Sequence, residues 1–286
     1  MDEDRLVYPT SKRMIETTTT VLDNRREFGD YWRLRLRIPV QFEIRPGQFA
    51  MIRPRGQLEP ILRRAMVFYR LRAEPDGLES EFIYRVMGRG TSQLAQLRRA
   101  DRVDLLGPLG NGFTLDETIV AGKEVALVSG GVGIPALYLL AEQLLARGIT
   151  PHLFHGDRSS DVERGLMCLH DFQELLGHRS VTGATEDGSY GERGFVTAPL
   201  EVALRTSAWR PAALYTCGPR PMMQRVAELA REFDIPAYVS LEAQMACGFG
   251  VCIACAERVK VNDQEKYVRV CCEGPVFRAD EVVWEW

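Results

Sequence analysis

Cys247, Cys252, Cys255 and Cys271 stand in the stretch MACGFGVCIACAERVKVNDQEKYVRVCCEGPVF, spaced C-x4-C-x2-C with fifteen residues before the fourth. Thiolates are soft, anionic ligands, and the opening spacing is that of loops that hold a [2Fe–2S] cluster. Gly248, Gly250, Ala254 and Ala256 surround the first three. A cluster loop needs such small residues, because its backbone N–H groups must turn inward toward the sulfurs. Cys-x2-Cys also suits zinc, yet zinc sites usually pair two such hooks, and here a single hook is joined by two lone cysteines. The spacing favours iron and sulfide, with zinc as the alternative.

Cys272 adjoins Cys271, and on an extended strand neighbours face opposite sides, so one of the two is a ligand and the other is packing. Cys168, in LMCLHDF, reads as a small buried hydrophobe. Seven cysteines and a polar opening, MDEDRLVYPT, give no disulfide framework and no secretory signal. No apolar run is long enough to span a bilayer, and a net charge of −3 offers nothing to nucleic acid or to an anionic membrane. The expectation is a soluble, cytoplasmic chain.

Three glycine-containing turns carry the other chemistry. EVALVSG leads into Gly130, Gly131, Gly133 and Pro135, a turn that would present backbone N–H groups to a pyrophosphate or serve close packing alone. HGDRSSD holds Asp157, able to accept from a ribose 2′-hydroxyl, and Arg158, able to meet a 2′-phosphate; both also read as solvated loop charges. TCGPRPMM places Cys217 and Gly218 at the end of a strand, where Cys217 either touches a reacting ring or is buried packing.

The elements that position these groups fall into three regions. Residues 1–117 read as short strands (YWRLRLRIPV, QFAMIRP, RRAMVFYRL, SEFIYRVMG) separated by Pro and Gly breakers, with one helix-like stretch, TSQLAQLRR, and predict an antiparallel β-barrel. Residues 118–238 alternate strand and helix (EVALVSG, ALYLLAEQLLARG, PHLFHGD, VERGLMCLHDFQELLG, AALYTCGP, PMMQRVAELAREFD) and predict an α/β domain with a parallel sheet. Residues 239–286 carry the cysteines and are too short for a core of their own, so a cluster would staple them.

In this order the pieces resemble the ferredoxin-NADP reductase superfamily, and more narrowly the electron-transfer subunits of NAD-dependent class B dihydroorotate dehydrogenase. The resemblance spans nearly the whole chain and rests on LRRAMVFY, YRVMGRGTSQL, LLGPLGNGF, DGSYGERGFVT, TCGPRPMM and LEAQMACGFGVCIACA…VCCEGPVF. It implies an FAD site on Arg64, Ala65, Met66 and Val67, a flavin-facing strand on Ile83, Tyr84 and Arg85, and a diphosphate turn on Gly90 and Thr91. Arginine suits a diphosphate as a charge-assisted partner. The family usually has Pro and a Ser or Thr where Ala65 and Val67 stand, so flavin tuning here departs from its pattern. The resemblance also places the fourth cluster ligand at Cys271, three residues before Gly274-Pro275-Val276-Phe277. Cysteine at 247, where small subunits of electron-bifurcating transhydrogenases usually carry Asp, favours the dihydroorotate relatives.

The resemblance implies that NAD(H) exchanges a hydride with FAD, and that FAD passes single electrons to the cluster. No residue arrangement for substrate acid–base chemistry is evident, and nothing resembles an FMN barrel. Oxidation of dihydroorotate, in pyrimidine biosynthesis, would fall to a separate FMN-containing catalytic subunit in a heterotetramer. The apolar flanks MACGFGV and CEGPVF are expected at that interface, beside Cys252 and Phe277. Alternatives are an NAD(P)H:acceptor reductase with another partner, of the sulfide dehydrogenase or bifurcating type, and a redox-sensing protein that binds no nucleotide.

Overall fold

The computed structural model describes residues 14–56, 59, 61–115, 122–161, 165–206, 209–262 and 264–285. The expected boundary at 117–118, the opening MDEDRLVYPT and the start of the VERGLMCLHDFQELLG stretch lie outside them.

Seven strands form the first sheet: β1 (Ile15–Phe28), β2 (Tyr31–Ile38), β3 (Phe49–Pro54), β4 (Arg64–Val67), β5 (Arg70–Glu74), β6 (Gly77–Arg85) and β7 (Arg102–Leu109). Helix α1 (Arg89–Leu94) lies between the last two. All pairings are antiparallel, in the order β4-β3-β7-β1-β2-β6-β5. Alternation drives the curl. Leu34, Leu36, Ile38, Ala50, Ile52, Met66, Phe68, Phe82, Tyr84 and Leu105 point inward as one buried cluster, while charged neighbours stay outside. RRAMVFYRL, expected as one strand, divides into β4 and β5 at Phe68-Tyr69, where the chain changes partner: β4 pairs with β3 and β5 with β6, the Phe68 N–H donates to the Gln48 carbonyl and the Tyr69 N–H to that of Glu81.

The second sheet contains β8 (Glu124–Gly130), β9 (Thr150–Asp157), β10 (Val181–Thr185), β11 (Glu192–Arg193), β12 (Leu214–Cys217) and β13 (Ala237–Ser240), all parallel, in the order β11-β10-β9-β8-β12-β13. Helices α2 (Tyr138–Ala146) and α3 (Leu169–Leu176) cover one face. Helices α4 (Thr197–Thr206) and α5 (Arg220–Glu232) cover the other. The helix expected directly after the first glycine turn is preceded by a 3-10 segment, Gly131–Leu137, in which Pro135 supplies no N–H for a regular α-helical start. Among the described residues, no helix is long and apolar enough to cross a membrane.

The cysteine-bearing segment adds the hairpin β14 (Ala256–Val261) and β15 (Gln264–Arg269), then β16 (Val276–Arg278), which pairs antiparallel with β13. Cys255, Val259, Val268, Val270, Cys271 and Phe277 share one buried cluster with Leu229 of α5 and Val239 of β13. The segment therefore borrows its core from the parallel-sheet domain. Phe277, expected at a surface, is 2% exposed. It packs into the buried cluster shared with α5 and β13, because β16 pairs with β13 as a sheet strand and is not an exposed loop.

Candidate redox site

The cysteines sit where three parts of the chain meet. A Cβ on Gly248 would lie 2.4 Å from Cγ of Met51 on β3. Met51 is the register partner of Ala65 on β4. The cluster loop thus rests directly on the strand beside the arginine motif. Gly248 has φ +82°, a conformation that a residue with a Cβ adopts only with strain.

The four cysteines form two pairs. Cys247 interacts with the Cys252 thiol, and backbone N–H groups of Cys252, Phe249 and Val251 point at its sulfur. Burial works against the Cys247 thiolate, but these donors outweigh it and bring the pKa down to about 6. Cys255 accepts from the Cys271 N–H, Sγ to N 3.5 Å, and their thiols interact. Burial, with the Cys255 and Cys272 thiols, pushes the Cys271 thiol up. Among the described residues, no three cysteine sulfurs lie mutually within 4.8 Å. A single zinc would hold all four within about 3.8 Å of one another. Two sulfur pairs with inward N–H groups fit a two-iron cluster.

Cys247 and Cys271 are shielded to different degrees, and Cys252 is exposed. Around it Phe249, Val251 and Ile253 stand 42%, 73% and 64% exposed. This is an apolar patch centred on an exposed cysteine.

The arginine motif divides by pleat. Met66 enters the barrel core, whereas Ala65 and Val67 face outward. A Cβ on Gly90 would meet Arg64 Nε at 2.3 Å and Nη2 at 2.5 Å. The guanidinium therefore lies across the start of α1, where Gly90 alone leaves room. First-turn N–H groups of a helix have no partner within it, so cation and N–H donors converge on one place and fit a diphosphate. Thr91 Oγ1 is engaged locally, accepting from Met87 N at 3.0 Å and Gly88 N at 3.2 Å and donating to the Gly88 carbonyl at 3.0 Å. On β6, Ile83 faces the seam between the sheets. The Tyr84 side chain turns into the barrel, where its hydroxyl donates to Asn24 Oδ1 at 3.1 Å. Arg85 is exposed, with its guanidinium 5.7 Å from the Tyr31 ring centre.

The three glycine-containing turns converge at the ends of β8, β9 and β12. A Cβ on Gly133 would lie 2.3 Å from the Cys217 carbonyl oxygen, and one on Gly218 2.8 Å from Gly130 N. Gly130 faces Pro219 and Met222 equally closely. Close packing of the first and third turns thus requires these glycines. Gly131, at φ +50°, faces the Tyr31 hydroxyl. Cys217 is buried and its thiol is pushed up by burial, with Glu242 adding to the shift. Asp157 is half-buried; its Oδ1 accepts from Arg158 N at 2.7 Å, while Oδ2 is buried and has no donor among the described residues. Burial raises its carboxyl pKa. A buried acceptor lacking a donor fits a ribose hydroxyl.

Sequence reasoning missed three groups. Tyr31 on β2 feels the charges of Asp157, Arg85, Glu242 and Arg158, and so marks the cleft between the sheets. Glu242, just before the cysteines, has its carboxyl raised by burial. Asp171 on α3 binds Arg33 and Tyr69 of the barrel. Glu242 lies inside the LEAQMACGFGVCIACA stretch, where the cysteines drew the reading, and the other two carry no motif. Tyr31 and Arg33 lie in an ordinary alternating strand, and Asp171 in an ordinary amphipathic helix.

A rolled antiparallel sheet, a parallel sheet with helices on both faces and a two-pair cysteine lobe define a ferredoxin reductase-type flavin oxidoreductase with an appended iron–sulfur domain. Residues 242–283 match the iron-sulfur cluster binding domain of dihydroorotate dehydrogenase B. The chain is 39% identical over 238 residues to the dihydroorotate dehydrogenase B (NAD(+)) electron transfer subunit of Geobacillus sp. strain WCH70, covering 83% of this chain and 86% of that one. It is 35% identical over 272 residues to the subunit of the same name in Listeria innocua, covering 94% and 99%. Among solved structures, the NADH-dependent reduced ferredoxin-NADP oxidoreductase, a flavin-based electron bifurcation enzyme, superposes with a TM-score of 0.76 at 31% identity over 93% of this chain and 90% of that one. The ferredoxin reductase of carbazole 1,9a-dioxygenase, at 22% identity and a TM-score of 0.63 over 78% and 67%, shares the fold. The chain belongs to the electron transfer subunits of dihydroorotate dehydrogenase B (NAD(+)).

Proposed function

We propose that this chain carries electrons between NAD(H) and a dihydroorotate-oxidising partner by way of FAD and a [2Fe–2S] cluster. FAD exchanges electrons with nicotinamide in pairs and with iron singly, which is the conversion such a chain requires.

The contact of Gly248 with Met51, and the pairing of Met51 with Ala65, carry this reading. They set the cluster loop against the strand that holds the arginine motif. Arg64, Gly90 and Thr91 would hold the FAD diphosphate. Ala65, Val67, Ile83 and Arg85 would line the flavin, with Met66 and Tyr84 anchoring their strands in the barrel core. Gly130, Gly131, Gly133 and Gly218 would admit the nucleotide backbone. Asp157 would accept from its ribose, and Cys217, buried and neutral, would close the floor without reacting. Cys247 and Cys252 would bind one iron, Cys255 and Cys271 the other. By this division residues 1–117 bind FAD, 118–238 bind NAD(H) and 239–286 bind the cluster.

The exposed ligand Cys252, ringed by Phe249, Val251 and Ile253, is the proposed exit. An exposed apolar patch of this kind suits docking. The partner is an FMN-containing catalytic subunit, two copies of each chain assemble together, and the complex works in the cytoplasm. Expressed alone, the chain should reduce dyes with NADH but leave dihydroorotate untouched, and adding the catalytic subunit should couple the two reactions. Dihydroorotate turnover by this chain alone, or a different native partner, would overturn the proposal.

A further inference from the structure

Cys272 lies outside the four-cysteine set, yet its Sγ is 3.6 Å from Sγ of Cys271. The two neighbours stand in a turn, residues 270–273, and not in an extended strand, so both thiols reach the same side. The turn is clamped. A Cβ on Gly250 would lie 2.5 Å from Cys272 Sγ. Arg269 Nη1 donates to the Gly250 carbonyl at 3.0 Å, and Glu273 accepts from the Arg269 backbone N–H at 2.7 Å. Cys272 packs partly buried against the core cluster that contains Cys271.

We propose that Cys272 donates an S–H···S hydrogen bond to the ligand sulfur of Cys271 and thereby raises the reduction potential of the cluster; this rests on Cys271 being a ligand. A ligating thiolate has no proton, so of the two sulfurs only Cys272 can donate. A hydrogen bond to a ligand sulfur favours the state with more negative charge, which is the reduced cluster. Donation involves no proton transfer, and the electron arrives by the route already described. Cys272 is a positioning and tuning residue, not a ligand.

The test is an EPR-monitored redox titration of the anaerobic full-length holoprotein as wild type, C272S and C272A, with iron analysis of each sample. All three should keep the same iron content. C272A should have a lower midpoint, by about threefold in the reduced-to-oxidised ratio, or about 28 mV for a one-electron couple. C272S, which keeps a donor, should fall between C272A and wild type. A wild-type midpoint in C272A, a fall in C272S as large as in C272A, or loss of iron from C272A would each overturn the proposal. Iron analysis of C271S separates the two levels: full retention there would remove the ligand assignment itself.

Discussion

Oδ2 of Asp171 on α3 lies 2.7 Å from Nη2 of Arg33 on β2, and this contact ties the barrel to the nucleotide sheet through buried charge. The Tyr69 hydroxyl donates to the same oxygen at 2.6 Å, and Arg70 approaches Oδ1 at 3.2 Å. Arg33 also meets Glu81 at 2.6 Å and Glu27 at 2.8 Å. The guanidinium is almost wholly buried, so its charge must be matched. Under the proposed function, a flavin on the barrel would face a nucleotide on the parallel sheet only while this seam stays fixed.

Breaking the pair should therefore be costly. Burial tends to raise the Asp171 carboxyl pKa, but the Tyr69 hydroxyl and the Arg33 and Arg70 charges outweigh it and hold it below the usual carboxylate range. A lowered folded pKa means that the contribution is fully present above the unfolded value, about 3.9. It is lost as the pH falls through the folded value. Asp171→Asn should cost about 3 kcal/mol at pH 7 and should lack this portion of the acid destabilisation. Denaturant unfolding from pH 7 down to pH 3 checks both; an unchanged wild-type profile in the variant would remove the latch.

Arg64→Ala deletes a charge-assisted donor worth about 1.5–3 kcal/mol, so FAD should bind roughly tenfold to a hundredfold more weakly. Gly90→Ala should weaken FAD as well, because its Cβ would fall within 2.3 Å of Arg64 Nε. FAD occupancy after gel filtration measures both, and full retention in Arg64→Ala would remove the assignment.

NADH should reduce the flavin faster than NADPH. A 2′-phosphate placed beside the Asp157 carboxylate would be repelled, whereas a 2′-hydroxyl could donate to its open Oδ2. Asp157→Asn should narrow the preference. Stopped-flow flavin reduction with each nucleotide decides it, and a clear NADPH preference in wild type would reject the role.

Iron and acid-labile sulfide should each be present at about two per chain when the protein is purified without oxygen. Cys271→Ser should lose or severely perturb the cluster, and Cys272→Ser should keep it. Loss in Cys272→Ser alone would reverse the ligand assignment.

The cysteine loop was legible in the sequence because its chemistry is local: spacing and small neighbours lie within a few residues of each other. The barrel and the alternating sheet were legible from periodicity. What the sequence hid was non-local. Asp171 reads as a helix surface charge until folding places Arg33, 138 residues away, against it. Phe277 reads as an apolar loop residue until β16 pairs with β13. Cys272 reads as the far side of a strand, but the chain turns there, and a turn puts adjacent side chains on one side.

The central claim is that one chain connects nicotinamide, flavin and cluster. Anaerobic addition of NADH to the purified native chain, followed by visible absorbance and EPR together, tests it most directly. Bleaching of the flavin band with the appearance of about one unpaired electron per two irons is the expected result. A flavin that bleaches while the cluster stays oxidised, or a colourless chain that does not respond to NADH, would contradict it.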